Sequence, residues 1–224
     1  MHPGSRCPAC GAPIRPLDNV PVLSWLALRG RCRACGVSIS PRYPIVELSN
    51  GLLWAACLWR APSWGDFASA ALLSSACLAL AFIDADVQIL PDAITLPGIV
   101  AGLGLSFVSV ERTPLQAAVG AAVGAGALFL LGWIWEKLRK VEAMGLGDVK
   151  MLGMVGAFLG LSGVFLTVLF ASILGSLVGL LLVATRKGGM RTALPFGVFL
   201  AMGAVASLFF GTLLLERYRL LFVS

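Results

Sequence analysis

A chain of 224 residues that is 58% hydrophobic and only 12% charged, with a mean hydropathy of +0.92, is too apolar for a soluble globular domain of this size. It belongs in a lipid bilayer. The formal charge of +6 then reads as a topology signal, and nothing in the sequence calls for nucleic acid.

The first 43 residues are polar and proline-bearing and lack the apolar core of a cleavable signal peptide, which predicts a small N-terminal cytoplasmic domain over 1–43. Within it, Cys7-Pro-Ala-Cys10 and Cys32-Arg-Ala-Cys35 are separated by 21 residues, and each is followed by a glycine, Gly11 or Gly36. This is zinc-ribbon spacing. Four soft thiolates complete a closed tetrahedron around Zn2+, a structural site with no open position for catalysis. A pair of redox disulfides is the alternative, disfavoured in a reducing cytoplasm. Cys57 and Cys77 lie in apolar runs and read as packing residues.

Apolar runs long enough to cross about 30 Å of hydrocarbon cover 44–61, 67–83, 93–110, 114–135, 164–185 and 193–215, all but the first free of charged residues. A shorter run, Met151 to Leu161, predicts a tilted or sunken helix that breaks at Ser162-Gly163 before the next span. The expected fold is therefore an all-α polytopic membrane protein over 44–224, with about seven transmembrane or re-entrant helices behind a zinc-ribbon-like domain. With the N-terminus inside, 13 of the 17 basic residues fall on the cytoplasmic side: Arg6, Arg15, Arg29, Arg31, Arg33, Arg42, Lys137, Arg139, Lys140, Lys150, Arg186, Lys187 and Arg191. Only Arg60, Arg112, Arg217 and Arg219 fall outside. Glycines at four-residue spacing, at 98/102, 120/124, 156/160 and 175/179, predict close helix packing, with a homodimer seam as one option.

An ionised group in a membrane span costs about 2.5–3.5 kcal/mol on insertion scales, so acidic residues at span edges require a reason. Asp84 follows 17 uncharged residues and is followed by Asp86 and Asp92. Asp148, within Met144-Gly145-Leu146-Gly147-Asp148-Val149-Lys150, opens the short span from the same side. Two carboxylates brought to one water cannot both ionise cheaply; one acts as base while the other holds a proton, which is aspartic peptidase chemistry. Gly145 and Gly147 would let an extended substrate approach Asp148. The plainer readings make Asp86 a solvated loop residue, Asp92 a cap for the helix beginning near Ala93, and Asp148 an N-cap.

Beyond these patterns, the chain resembles the prepilin peptidases of type IV pilus and type II secretion systems. The resemblance runs through Ser5-Arg-Cys-Pro-Ala-Cys10, Asp18-Asn-Val-Pro-Val-Leu-Ser-Trp25, Gly30-Arg-Cys-Arg-Ala-Cys35 and Pro41-Arg-Tyr-Pro-Ile-Val-Glu-Leu48. It continues at Ile83-Asp84, Leu90-Pro91-Asp92, Gly145 to Lys150 and Leu194-Pro-Phe-Gly197. Presenilin-type proteases share a GxGD element but carry Pro-Ala-Leu where this chain has Ala193-Leu-Pro-Phe-Gly197. The resemblance implies an aspartic endopeptidase of the bacterial cytoplasmic (inner) membrane, with Asp84 and Asp148, 64 positions apart, as the catalytic pair at the cytoplasmic face. Asp86 is the nearest rival for the first role. The substrate implied is a prepilin or pseudopilin whose basic leader an acidic rim of Asp84, Asp86 and Asp92 would attract; Gly145, Gly147 and Lys150 complete the expected substrate-binding set.

The resemblance further implies N-methylation of the new terminus from S-adenosylmethionine, for which residues 1–43 offer no GxGxxG loop of their own. Glu47 is a candidate for that site or a partner for Arg42. Bifunctional members usually begin with a further membrane span that has no counterpart ahead of Ser5, so a shortened enzyme or a late start is expected here. The rival readings are a peptidase without methyl transfer and a non-enzymatic scaffold or ion transporter with a zinc module; a transporter would place polar groups near midspan, where these spans carry Gly, Ala, Leu, Val and Ser.

Overall fold

The computed structural model describes residues 5–140, 145–185 and 195–222. It is all-helical apart from two isolated antiparallel bridges, and it divides into two units, Met1–Ala56 and Cys57–Ser224.

In the first unit each CxxC turn builds the same small loop. Cys7 N–H donates to Ala12 O and Gly11 N–H to Cys7 O, and the second loop repeats the pattern with Cys32, Val37 and Gly36, all four bonds at 2.9 Å. Gly11 and Gly36 sit at φ 69° and 71°, the left-handed conformation that closes such a loop without a Cβ penalty. Bridges between Arg6 and Pro13 and between Arg31 and Ser38 flank the loops. A 3₁₀ turn, Pro16–Asn19, and the short helix α1, Leu23–Ala27, connect them. Asp18 pairs with the Arg33 guanidinium through both oxygens, at 2.6 and 2.8 Å, and Trp25 Nε1 donates to Ile39 O. Helix α2, Arg42–Arg60, carries the chain out of this unit.

The second unit holds α3 (Trp64–Val87), α4 (Asp92–Leu105), α5 (Pro114–Arg139), α6 (Leu146–Ala184) and α7 (Phe196–Phe222). Four of these, α3, α5, α6 and α7, are long and apolar enough to cross a membrane, and α4 is a shorter apolar helix of 14 residues. Local chemistry sets their ends. The Ser63 hydroxyl accepts from Asp66 N–H at the start of α3, and Thr113 with Gln116 forms a reciprocal capping box at the start of α5.

Helix α6 packs against α4, α5 and α7. Every residue from Met151 to Phe158 is buried, so the short apolar run is the centre of the bundle and not a lipid-facing span. Leu73, Cys77 and Leu80 of α3 and Leu200 and Ala204 of α7 complete the core around it. The break expected at Ser162-Gly163 lies at Gly160, with φ 68° and ψ −172°, a conformation essentially reserved for glycine; residues 162 and 163 are helical. The break lies beside a close contact between backbones. A Cβ placed on Gly156 would lie 2.1 Å from Gly120 O, and one on Gly120 would lie 2.3 Å from Gly156 O and 2.7 Å from Gly160 Cα. Gly98 and Gly102 likewise admit Met154 and Ala157 against α4.

Two boundaries differ from expectation in ways that matter for the site. Helix α3 continues through Asp84 and Asp86 to Val87, and α6 begins at Leu146, so Asp84 and Asp148 are both helical residues and Gly145, not Asp148, is the N-cap. Helix α4 starts at Asp92 behind an N-cap at Pro91 and stops at Leu105, short of the expected 110. Met144, the Arg186, Lys187 and Arg191 cluster and Ala193-Leu194 lie outside the described residues.

Because Gly156 meets backbone and cannot be relieved by rotating a side chain, Gly156→Val is expected to destabilise the protein by about 3 kcal/mol or more. Gly160→Ala is expected to cost about 1–3 kcal/mol through backbone strain. Gly175→Ala, whose Cβ would sit 3.7 Å from Phe199, is the near-neutral control in a thermal-unfolding comparison in detergent.

Candidate active site

In the second unit, Asp84 is 4% exposed, although it stands near the end of a membrane-length helix. Burying a carboxylate requires donors. They come from the start of α7, where Val198 N–H donates to Asp84 Oδ2 at 3.0 Å and Gly197 N–H is directed at the same carboxylate. The first turn of a helix has unpaired N–H groups and a partial positive charge, so it suits an acidic partner. Gly197 is required for the approach, since a Cβ there would lie 2.8 Å from Asp84 Oδ2.

Asp148, in the first turn of α6, lies close enough to Asp84 for their charges to interact. Asp86 is two residues beyond Asp84 on a helix, which turns it to another face; it is exposed where Asp84 is buried. Asp92 and Lys150 meet in an ion pair, Lys150 Nζ lying 2.7 Å from both carboxylate oxygens, and this ties the start of α4 to α6 two residues after Asp148. Gly147 faces Leu90, whose Cβ would be 2.9 Å from an added Cβ, while Gly145 is exposed, with its added Cβ no closer than 3.8 Å to Asp148 Oδ2. Thus Gly147 admits a side chain of the protein itself, and Gly145 borders open space. Sequence reasoning missed the part played by Gly197 and Val198. A proline two residues ahead of a glycine at a helix start, Pro195-Phe196-Gly197, is the signal that was available, but which carboxylate it would meet is a tertiary fact.

The first unit holds the metal-binding geometry. The four Sγ atoms of Cys7, Cys10, Cys32 and Cys35 lie within 4.8 Å of one another, and Cys7 Sγ and Cys35 Sγ are 3.9 Å apart. Tetrahedral thiolates at a zinc–sulfur distance of about 2.3 Å stand roughly 3.8 Å from each other, so the four residues fit such an ion. Backbone N–H groups of Cys10 and Ala9 bring the Cys7 thiol down to about 7. The Val37 N–H pulls the Cys35 thiol the same way, but burial and the neighbouring thiols of Cys10, Cys32 and Cys7 outweigh it and push it up to about 11. One thiolate forms readily and the last resists; a cation supplies the charge that lets all four deprotonate. Glu47 accepts Val22 N–H at 2.8 Å, which engages it within this unit.

These geometries agree with what the chain is similar to. Residues 1–61 match the bacterial peptidase A24 N-terminal domain, and residues 71–180 match the type IV leader peptidase family. The chain is 44% identical over 212 residues to the prepilin leader peptidase/N-methyltransferase of Burkholderia pseudomallei (strain 1026b), covering 94% of this chain and 68% of that protein. It is 42% identical over 209 residues to the protein of the same name from Pseudomonas putida, covering 93% and 73%, and 40% identical over 219 residues to that of Aeromonas hydrophila, covering 97% and 75%. No solved structure matches the chain. With both parts matched in order and relatives this similar across most of their length, the chain belongs to the type IV leader peptidase family.

Proposed function

We propose that this protein is a membrane-embedded aspartic endopeptidase that removes the basic leader of type IV prepilins or pseudopilins at the cytoplasmic face of the bacterial inner membrane, then methylates the new N-terminus. The observation that supports this reading is that Asp84, near the end of α3, and Asp148, in the first turn of α6, stand within range of each other's charge at one end of an apolar bundle.

The pair shares one proton over a bound water. The ionised carboxylate takes a proton from the water as its oxygen attacks the scissile carbonyl, and the protonated carboxyl donates to the carbonyl oxygen. Collapse of the tetrahedral intermediate then breaks the C–N bond, with a proton passing to the leaving amine. N–H groups of Gly197 and Val198 orient the Asp84 carboxylate, and the Asp92–Lys150 pair holds the start of α6 against α4. Asp86, exposed on the last turn of α3, together with Asp92, Gly145, Gly147 and Lys150, forms the rim we assign to the leader. A site at the membrane edge suits a bond where a polar leader meets an apolar helix, because only the first turn must unwind.

Cytoplasmic placement is supported by basic residues at this end of the bundle. Lys137 and Arg139, which lie over the rings of Trp133 and Trp135, end α5 just before the chain returns to Asp148 in α6. Aromatic and cationic side chains together anchor a helix end at the cytoplasmic interface. Counting α6 as two segments across Gly160, helices α2 to α7 would supply the seven crossings of the topology we favour, four of them, α3, α5, α6 and α7, being of membrane-crossing length and hydropathy. The four cysteines would hold Zn2+ as a structural ion, making residues 1–43 a zinc-binding domain ahead of the peptidase part, 44–224. The methyl donor of the second reaction would be S-adenosylmethionine. Ion transport is not favoured, because Leu73, Cys77, Leu80, Met151 and Phe158 fill the centre of the bundle.

Cleavage of a prepilin in membranes should fall by at least about 10²–10⁴-fold in Asp84→Asn and in Asp148→Asn and survive in Asp86→Asn. Full activity in either of the first two would overturn the pair. Gly197→Ala should reduce cleavage while leaving the protein membrane-inserted, as read by quantitative immunoblotting of washed membranes alongside the activity assay. The purified chain should contain one zinc per molecule by elemental analysis, and Cys10→Ser with Cys35→Ser should abolish that content and open residues 5–40 to limited proteolysis.

A further inference from the structure

The end of α3 opposite Asp84 carries a second polar constellation that the peptidase reaction does not use. Asp66 and Asp84 are 18 residues apart on one helix, about 27 Å along its axis. Here a cavity of about 740 Å³ opens between the end of α2 and helices α3, α5, α6 and α7 at the level of the Gly160 break. Its walls are mostly apolar, with Leu115, Val119 and Leu161 presenting accessible side chains to it. Two guanidinium groups, Arg60 and Arg112, also line it.

Neither arginine is spent on an ion pair within bonding distance among the described residues. Arg60 donates to the Thr212 hydroxyl at 2.9 Å, and Arg112 donates to the Ser69 hydroxyl at 3.0 Å. The Nε of Arg112 is buried with no hydrogen-bond partner. A buried, unmatched guanidinium donor is costly and calls for an acceptor. Asp66 is near but committed, since its carboxylate accepts from the hydroxyls of Ser63 and Ser109 and from Val110 N–H. Burial pulls the Arg112 guanidinium below its ordinary range, against the opposing influence of Glu111 and Asp66. Glu111 is exposed beside it at the cavity's edge.

We infer that this cavity is a binding site for a membrane phospholipid, its phosphate held by Arg60 and Arg112 and an acyl chain lying against Leu115, Val119 and Leu161. Forked guanidinium donors match phosphate oxygens, and only an amphiphile satisfies both those donors and the apolar wall. A headgroup amine, where present, would face Glu111. A free phosphate would leave the wall unfilled, and diacylglycerol would leave the arginines unmatched.

The test uses the full chain in mild detergent, delipidated and then titrated with phosphatidylethanolamine, phosphatidylglycerol, diacylglycerol or inorganic phosphate, with native mass spectrometry and thermal unfolding as readouts. A single phospholipid adduct is expected, with a midpoint raised by about 5–10 °C at a hundredfold excess over the dissociation constant. Arg60→Gln and Arg112→Gln should each remove the adduct and the shift, and Arg139→Gln at the other end of the bundle should retain both. Should Arg112→Gln fail to fold, Arg60→Gln, whose contact is one exposed hydroxyl, carries the test alone. A shift of equal size with diacylglycerol or with inorganic phosphate, or adducts of equal occupancy in both arginine variants, would overturn the site.

Discussion

Helices surrounded by lipid gain little from burying apolar side chains against one another, so their cohesion depends on how closely their backbones approach. In this protein that approach is concentrated where α5 meets α6, with Gly120 against Gly156 and Gly160. A side chain on either partner would part the helices. The contact also explains why α6 can be buried on every side from Met151 to Phe158: its neighbours come near enough to leave no lipid-facing stripe. Asp148 stands at the start of this immobilised segment, so its position is set by the packing of the whole bundle and not by a loop.

Much of this was legible in the amino-acid order. Apolar runs located the helices, because membrane solvent leaves few other ways to satisfy a backbone. The breach in the long apolar stretch after Met151 was also legible, but its position was not: several glycines could break the helix, and the one that does, Gly160, lies beside Gly120 of α5. That pairing is a long-range fact. The four cysteines were readable because metal ligation imposes local spacing, and their sulfurs do converge.

What could not be read was which backbone groups hold the buried carboxylate. Asp84 and Asp86 have the same chemistry and neighbouring positions, and only the helical phase of α3 turns one inward and the other outward. The donors for the inward one lie more than a hundred residues further along the chain, at Gly197 and Val198. Likewise Asp92 and Lys150 each carry an ordinary charge in the sequence; their union across α4 and α6 depends on both helices starting at the same end of the bundle.

The hold of α7 on Asp84 also bears on the order of biosynthesis. Both aspartates leave the ribosome well before Gly197 does, so a nascent chain displays the two carboxylates while lacking the amides that orient one of them. The constellation therefore matures only when its last helix inserts. A chain stalled before that point would hold both carboxylates with the Asp84 side chain lacking the Gly197 and Val198 amides that receive it.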